Sequence, residues 1–211
     1  MKKNFLKLTS FIFGIFILAF GVALSVKSNL GVSPISCVPY VCSFKSQFTL
    51  GELTIFFNTI LVVLQIIILR KSYRFLQLIQ LPMVFIFGIF IDFNMSLISN
   101  LVVSTFFGKL IFALISCVVM GVGVYIEVKS NITYLPGEGL VIAISDTIKK
   151  EFGKVKISMD TSMVILGVII SILFFHKIKG LGVGTILAAF SVGAIVRMIN
   201  KISDKFIKVK S

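Results

Sequence analysis

Six long apolar stretches, separated by short polar segments, run along the chain. They cover approximately residues 8–26, 49–69, 76–95, 107–127, 157–175 and 181–199. Each stretch is close to the roughly 20 residues that an α-helix needs to cross a hydrocarbon core. Their apolar residues are continuous rather than alternating, which favours helices over the strands of a β-barrel. The pattern therefore predicts an all-α membrane protein with six transmembrane helices.

Two further apolar segments are too short to cross the bilayer as helices. They cover residues 35–44 and 137–147, and each begins beside a proline, Pro34 or Pro136. Backbone at membrane depth that does not belong to a spanning helix must be covered by protein or line an aqueous cavity. We therefore interpret both segments as short re-entrant or interfacial half-helices, with proline at the helix start, where it costs nothing.

The end of the first long stretch is repeated at the end of the fourth, at a constant offset of 102 residues. Gly-Val-x-x-x-Val-Lys-Ser-Asn, then a proline, then a serine occupy 21–29, 34 and 43, and again 123–131, 136 and 145. The repeating unit is one long span, one short segment and two long spans. This predicts two halves, residues 1–106 and 107–211, within one membrane domain.

An odd number of crossings in each half has a topological consequence. The second half must enter the bilayer from the side opposite to the first, which gives an inverted repeat with a pseudo-two-fold axis in the membrane plane. With the N-terminus inside, sixteen of the twenty-one lysines and arginines fall on the cytoplasmic side, as the positive-inside rule expects. Both termini are thus predicted to be cytoplasmic. The basic loop from His176 to Lys179, which this topology places outside, does not fit the rule.

The net charge of +13 would suggest nucleic acid as the partner of a soluble protein. Here lysines and arginines cluster at span ends, so we predict the lipid bilayer and a small-molecule or ion solute as partners, with no nucleic acid. An apolar outer surface leaves a homodimer possible. The three cysteines and single histidine show no metal-ligand spacing. We expect no metal, no cofactor and no catalytic set, hence no enzyme, and we place the chain in a bacterial inner membrane.

The starts of the two short segments are the candidate solute site. Half-helix N-termini near the bilayer middle hold anionic groups in several transporters. Glu138 is the sharpest candidate because an ionisable group at membrane depth is a functional hypothesis by default. The alternatives are surface turns and an exposed loop carboxylate. The predicted solute contacts are Ser33, Pro34, Ser36, Pro136, Gly137, Glu138 and Gly139.

Other polar residues within or beside spans are candidates for a coupling group or a pathway. Lys156 and Asp160 are four residues apart on one helical face, which fits either a functional pair or a simple ion pair within the helix. The predicted pathway set is Glu138, Lys156, Asp160, Asn58 and Thr185. The repeated Asn29 and Asn131 are predicted to cap helix ends, because asparagine tolerates left-handed backbone geometry.

The chain resembles the bacterial YczE/YyaS/YitT-type multi-pass membrane proteins, most closely the YczE-like branch. The resemblance rests on 30–34 (Leu-Gly-Val-Ser-Pro), Thr49-Leu50-Gly51, Val155-Lys156 with Asp160, and 182–185 (Gly-Val-Gly-Thr). The family usually carries Gly-Pro-x-Asp where this chain has Leu-Pro-Gly-Glu at 135–138, and an Arg and Glu where it has Lys156 and Asp160. These exchanges keep the charge but change reach and hydrogen-bond geometry.

Taken together, these features predict a small-solute transporter with its site between the two short segments. Two alternatives remain open at this point. One is the substrate-binding subunit of a multi-component vitamin importer, and the other is a non-transporting membrane accessory or assembly protein.

Overall fold

The computed structural model describes the backbone of residues 2–210 and the side chains of residues 5–203. This part of the chain forms eight α-helices joined by turns and short 3₁₀ segments. They are α1 (Lys2–Ser28), α2 (Cys37–Ser43), α3 (Leu50–Leu69), α4 (Gln80–Leu97), α5 (Phe106–Ser130), α6 (Pro136–Ile148), α7 (Phe152–Phe175) and α8 (Val183–Lys210).

Six of the described helices are long and apolar enough to cross a membrane, with mean hydropathy between 1.6 and 2.3 over their best windows. They are α1, α3, α4, α5, α7 and α8, so the predicted all-α membrane class with six apolar spans is confirmed. Among the candidate spans, the largest difference from the predicted bounds is at the start of α7, which begins at Phe152 rather than at 157. The lysines at 154 and 156 interrupt the apolar pattern there without interrupting the helix.

The helix ends are fixed by local capping interactions. Thr49 accepts a hydrogen bond from the Glu52 amide at 3.1 Å, while the Glu52 carboxylate accepts one from the Thr49 amide at 2.8 Å. This capping box starts α3. Asn29 and Asn131 both have positive φ, 51° and 54°, and their amides donate to the carbonyls three residues earlier. The predicted asparagine caps of α1 and α5 are therefore confirmed.

The described chain divides into two compact units, and the first comprises Met1–Ser33, Asn94–Ile132 and Gly182–Ser211. Here α1 and α5 pack antiparallel at unusually short range, because each helix presents glycine to the backbone of the other. A side chain at Gly123 would lie 2.6 Å from the Leu18 amide nitrogen. The facing pairs are Gly14 with Glu127, Leu18 with Gly123 and Gly21 with Met120.

The second unit comprises Pro34–Phe93 and Thr133–Leu181. Both short helices, α2 and α6, pack against the long helices α3 and α7 within it. Its apolar core is formed by residues of α3, α6 and α7, with Ile35 packed against it. The core residues are Leu61, Leu140, Val141, Val155, Met159 and Met163.

Each compact unit draws elements from both halves of the sequence. The first contains α1 and α5, which begin the two halves, and the second contains both short helices. The predicted halves, residues 1–106 and 107–211, are defined by the repeated sequence and stay a prediction. The compact units group the helices differently, because each unit contains helices from both halves.

Candidate functional site

The N-terminus of α6 forms the centre of the candidate site. Pro136 is its first residue, as predicted, and Glu138 lies in its first turn. The side-chain amide of Gln65, on α3, donates to the Pro136 carbonyl at 3.1 Å. Gly139 permits this approach, since a Cβ there would lie 2.8 Å from the Gln65 Oε1 atom. The α6 start is therefore held by a buried polar side chain from a neighbouring long helix.

Gln65 is itself fixed by a second glutamine. Gln65 and Gln80 exchange hydrogen bonds, each Nε2 donating to the other Oε1 at 3.2 Å. Their exposed fractions are only 1% and 3%. A buried amide is costly unless it is hydrogen-bonded, so this reciprocal pair satisfies both side chains and joins α3 to α4. Sequence alone does not show whether a polar residue within a span contacts another helix or lines a pathway.

Three charged side chains form one cluster beside the α6 start. The Lys156 Nζ atom lies 2.8 Å from Asp160 Oδ1 and 3.9 Å from Glu138 Oε1. Their side chains are mostly buried, with 29%, 16% and 25% exposed for Lys156, Asp160 and Glu138. Glu138 is thus part of a helix and an ion-pair cluster, which excludes the exposed loop carboxylate. With all three groups charged, the cluster carries one surplus negative charge.

The cluster lies well inside the length of its helices. At a rise of about 1.5 Å per residue, Asp160 is roughly 12 Å along α7 from its start at Phe152. Glu138 is about 15 Å along α6 from its end at Ile148. Residues 149–151, between these two helix ends, are all exposed. The carboxylates are therefore removed from the surface at which α6 ends and α7 begins.

The structure brings the two short segments into contact at their starts. A Cβ at Gly137 would lie 3.2 Å from the Ile35 side chain. Pro34 opens a 3₁₀ turn that ends at the buried Ser36, and α2 follows directly. The predicted contacts Pro34, Ser36 and 136–139 therefore all belong to the second unit.

Asn58 also lies in the second unit and is buried, and its side-chain amide donates to the Thr54 carbonyl at 2.8 Å. Ser33 and Thr185 belong to the first unit. There, the Thr185 hydroxyl accepts a weak hydrogen bond from the Gly182 amide at 3.4 Å and lies against Gly31. Its contacts fix the start of α8, a structural role.

Glu127 on α5 is a buried carboxylate that the sequence analysis missed. Its exposed fraction is 1%, and its backbone faces Gly14 on α1. An isolated glutamate between Ile126 and Val128 was the available signal. That signal is ambiguous, because Lys129 and the helix end follow within a turn.

A groove of about 670 Å³ opens between α6 and α7 near the surface where they join. Its lining combines apolar side chains, among them Ile144 and Met159, with the serines Ser158 and Ser162 and a basic rim from Lys149 to Lys154. Glu138 and Asp160 are not among its lining residues.

Six helices that are long and apolar enough to cross a membrane define a multi-pass helical membrane protein. The chain belongs to the family described as "Family of unknown function (DUF6198)", whose model matches residues 5–201. This confirms the YczE/YyaS-type assignment.

Relatives at moderate identity extend over most of the chain. "Uncharacterized protein YyaS" of Bacillus subtilis is 28% identical over 194 residues, covering 91% of each chain. "Uncharacterized membrane protein YczE" of the same organism is 28% identical over 201 residues, covering 93% of this chain and 87% of that one. An "Uncharacterized protein" of Haemophilus influenzae is 22% identical over 187 residues, covering 88% and 79%. No solved structure matches.

Proposed function

We propose that this protein is a small-solute transporter of the bacterial cytoplasmic membrane, built from two inverted three-span halves, with both termini in the cytoplasm. The observation that carries the proposal is the Glu138–Lys156–Asp160 cluster. It combines two carboxylates with one lysine, all mostly buried, and Glu138 lies at the start of a helix too short to cross. Ionisable groups at such depth are costly and mark solute or proton pathways.

The contacts between α1 and α5 support the inverted repeat. The offset of 102 residues relates Leu18 to Met120 and Gly21 to Gly123. Leu18 of α1 contacts Gly123 of α5. A two-fold axis that relates the halves predicts a second contact, between the equivalent residues Met120 and Gly21, and the structure has this contact as well. The two helices are antiparallel, as a two-fold axis perpendicular to them requires.

The second unit has the same exchange of contacts. Cys37 of α2 packs against Gly167 of α7, and their equivalents at the same offset are Gly139 of α6 and Gln65 of α3, which also pack together. Ile35 and Gly137 are equivalent to one another and touch. A residue can touch its own equivalent only close to the axis, so a pseudo-two-fold axis would pass between the starts of the short segments.

The order of the spans supports a re-entrant path for residues 131–151. The chain leaves α5 at Ser130 and starts α7 at Phe152, and consecutive spans begin and end at the same membrane surface. The start of α6 lies about 15 Å from its surface end. The segment 131–135 would therefore run back into the membrane, and α6 would return to the surface.

The two halves are not chemically equal, which identifies Glu138 as the proposed coupling group. At the offset of 102, Glu138, Lys156 and Asp160 correspond to the neutral residues Ser36, Thr54 and Asn58. Lys156 is matched most closely by Asp160, at 2.8 Å, while Glu138 lies at 3.9 Å. The Lys156–Asp160 pair thus balances itself, and Glu138 is the carboxylate left to exchange a proton or a solute contact.

Uptake by proteoliposomes tests the proposal. A pH-sensitive dye inside the vesicles reports proton movement while a panel of metabolites is added outside. We expect at least one solute to give a signal that Glu138→Gln abolishes. The matched control is Glu151→Gln, an exposed glutamate whose partner is the surface lysine Lys154, and it should keep the signal.

No solute-dependent signal from the wild-type protein, or equal signals from it and Glu138→Gln, would contradict the proposal. Flux that requires a co-purifying ATP-hydrolysing module would instead identify a substrate-binding subunit of a vitamin importer. A stable partner complex without flux would identify an accessory protein.

A further inference from the structure

Two lysines and three phenylalanines gather where the end of α2 meets the end of α7 in the second unit. We call this group the lysine–aromatic cluster. Its members are Phe44, Lys45, Phe174, Phe175 and Lys179.

Two of these ammonium groups lie over aromatic rings. Lys179 Nζ is 4.2 Å from the centre of the Phe44 ring and 4.9 Å from that of Phe175. Lys45 Nζ is 4.7 Å from the centre of the Phe174 ring. Such contacts attract a cation without neutralising its charge. Both lysines are therefore oriented by the rings and remain able to bind an anion.

The loop that carries Lys179 is held in place by a buried serine. The Ser171 hydroxyl accepts from the Lys179 amide at 2.7 Å and lies 2.9 Å from the Lys177 carbonyl. Gly180, with φ of 82°, packs directly on Tyr40 and Phe44, and a Cβ there would lie 2.8 Å from the Phe44 ring. The loop conformation is thus fixed by internal contacts of the protein.

This cluster lies at a membrane surface. The α7 span ends at Phe175 and the α8 span begins at Val183, so residues 176–182 connect two consecutive crossings. Lysine and aromatic side chains at this level are typical of the headgroup region. Within the side chains that the structure describes, the ion pairs formed involve only Lys154 and Lys156. Among these side chains, Lys45 and Lys179 therefore form no ion pair with a carboxylate.

We propose that the lysine–aromatic cluster binds the phosphate of an anionic phospholipid such as phosphatidylglycerol. The rings would contact the upper acyl chains while the ammonium groups of Lys45 and Lys179 donate to the phosphate oxygens. This accounts for a basic loop on the side where the positive-inside rule expects few lysines. The proposal is independent of transport.

Lipid titration of the purified protein in nanodiscs or detergent, read by native mass spectrometry, tests the site. Phosphatidylglycerol is compared with phosphatidylcholine for the wild type and for Lys45→Gln/Lys179→Gln. Losing one lysine near an anionic lipid changes affinity about five-fold, so the double variant should lose roughly 30-fold in phosphatidylglycerol affinity. Phosphatidylcholine binding should not change.

The matched control is Lys109→Gln, a lysine in the first turn of α5 outside the cluster, which should keep the wild-type preference. Equal preference in the double variant and the control would overturn the proposal. Displacement of the lipid by millimolar inorganic phosphate would also overturn it, in favour of a soluble anion. A melting midpoint in phosphatidylcholine checks folding. If the double variant is destabilised, the single variant Lys45→Gln must still lose about five-fold.

Discussion

The close approach of α1 and α5 gives the sharpest stability prediction, through the substitution Gly123→Ala. The added Cβ would lie 2.6 Å from the Leu18 amide nitrogen and 2.8 Å from its Cα. Ordinary carbon contacts are near 3.5–4.0 Å, and the atoms that would have to move are backbone. The helices must therefore separate by about 1 Å, because no side chain can rotate away.

The magnitude follows from two opposing terms. Overpacking of a close helix contact costs about 1–3 kcal/mol. Replacing glycine by alanine within a helix returns about 0.8–1 kcal/mol of helix propensity. The control Gly193→Ala in α8 isolates the second term, since no atom lies within 4 Å of its Cβ position. We expect Gly123→Ala to be about 1–3 kcal/mol less stable than Gly193→Ala.

Thermal unfolding in detergent measures this difference without engineered cysteines. Cys37 and Cys117 are buried, with 0% and 2% exposed, so a thiol-reactive dye reports their exposure on unfolding. Gly21→Ala should behave like Gly123→Ala, because its Cβ would lie 2.8 Å from the Met120 amide nitrogen. Gly123→Ala that is as stable as Gly193→Ala would refute the short interhelical distance and the exchanged contacts built on it.

Three further substitutions probe other parts of the account. Asn131→Ala should lower the free energy of unfolding by about 1–2 kcal/mol in the same assay, because the φ of Asn131 is 54°. Asn131→Gly should stay near wild type, since glycine adopts this geometry freely. Equal losses in both variants would show that the left-handed cap is unimportant. The Asp92 carboxylate on α4 accepts hydrogen bonds from the Thr49 hydroxyl at 2.6 Å and from the Gly51 amide at 2.8 Å, at the start of α3. Asp92→Ala removes both bonds and should lower the free energy of unfolding by about 2 kcal/mol. An unchanged melting midpoint would argue against this contact between the two helices. Lys156→Met leaves two carboxylates without a counter-charge and should cost about 3–5 kcal/mol; a stability equal to wild type would mean that the cluster is hydrated and not held inside the spans.

The sequence predicted those features that depend on local or periodic signals. The number of spans follows from apolar length, and the caps at Asn29 and Asn131 follow from a residue type that accepts left-handed geometry. The helix start at Pro136 with Glu138 in its first turn follows from proline and carboxylate preferences at helix N-termini. Each of these signals lies within a few residues of the feature that it specifies.

Features that depend on which helices meet were beyond the sequence pattern. The Gln65–Gln80 pair joins two spans, and one polar residue in an apolar stretch does not identify its partner. The packing of α1 on α5 depends on glycines of both helices. Their spacing within one helix does not identify the partner helix, and their role is seen only where the two helices contact each other. Glu127 is buried, and its backbone faces Gly14 of α1, a contact that the sequence of α5 alone does not show.

The most direct test of the inverted repeat is the accessibility of two equivalent positions, Asn29 and Asn131. Both are exposed and both follow the last residue of a span. Each is replaced by cysteine, singly, in a chain whose native cysteines are changed to alanine, and intact cells are treated with a membrane-impermeant maleimide. The account predicts that cysteine at 29 is labelled in intact cells and that cysteine at 131 is labelled only after the membrane is opened. Labelling of both positions from the same side would contradict it.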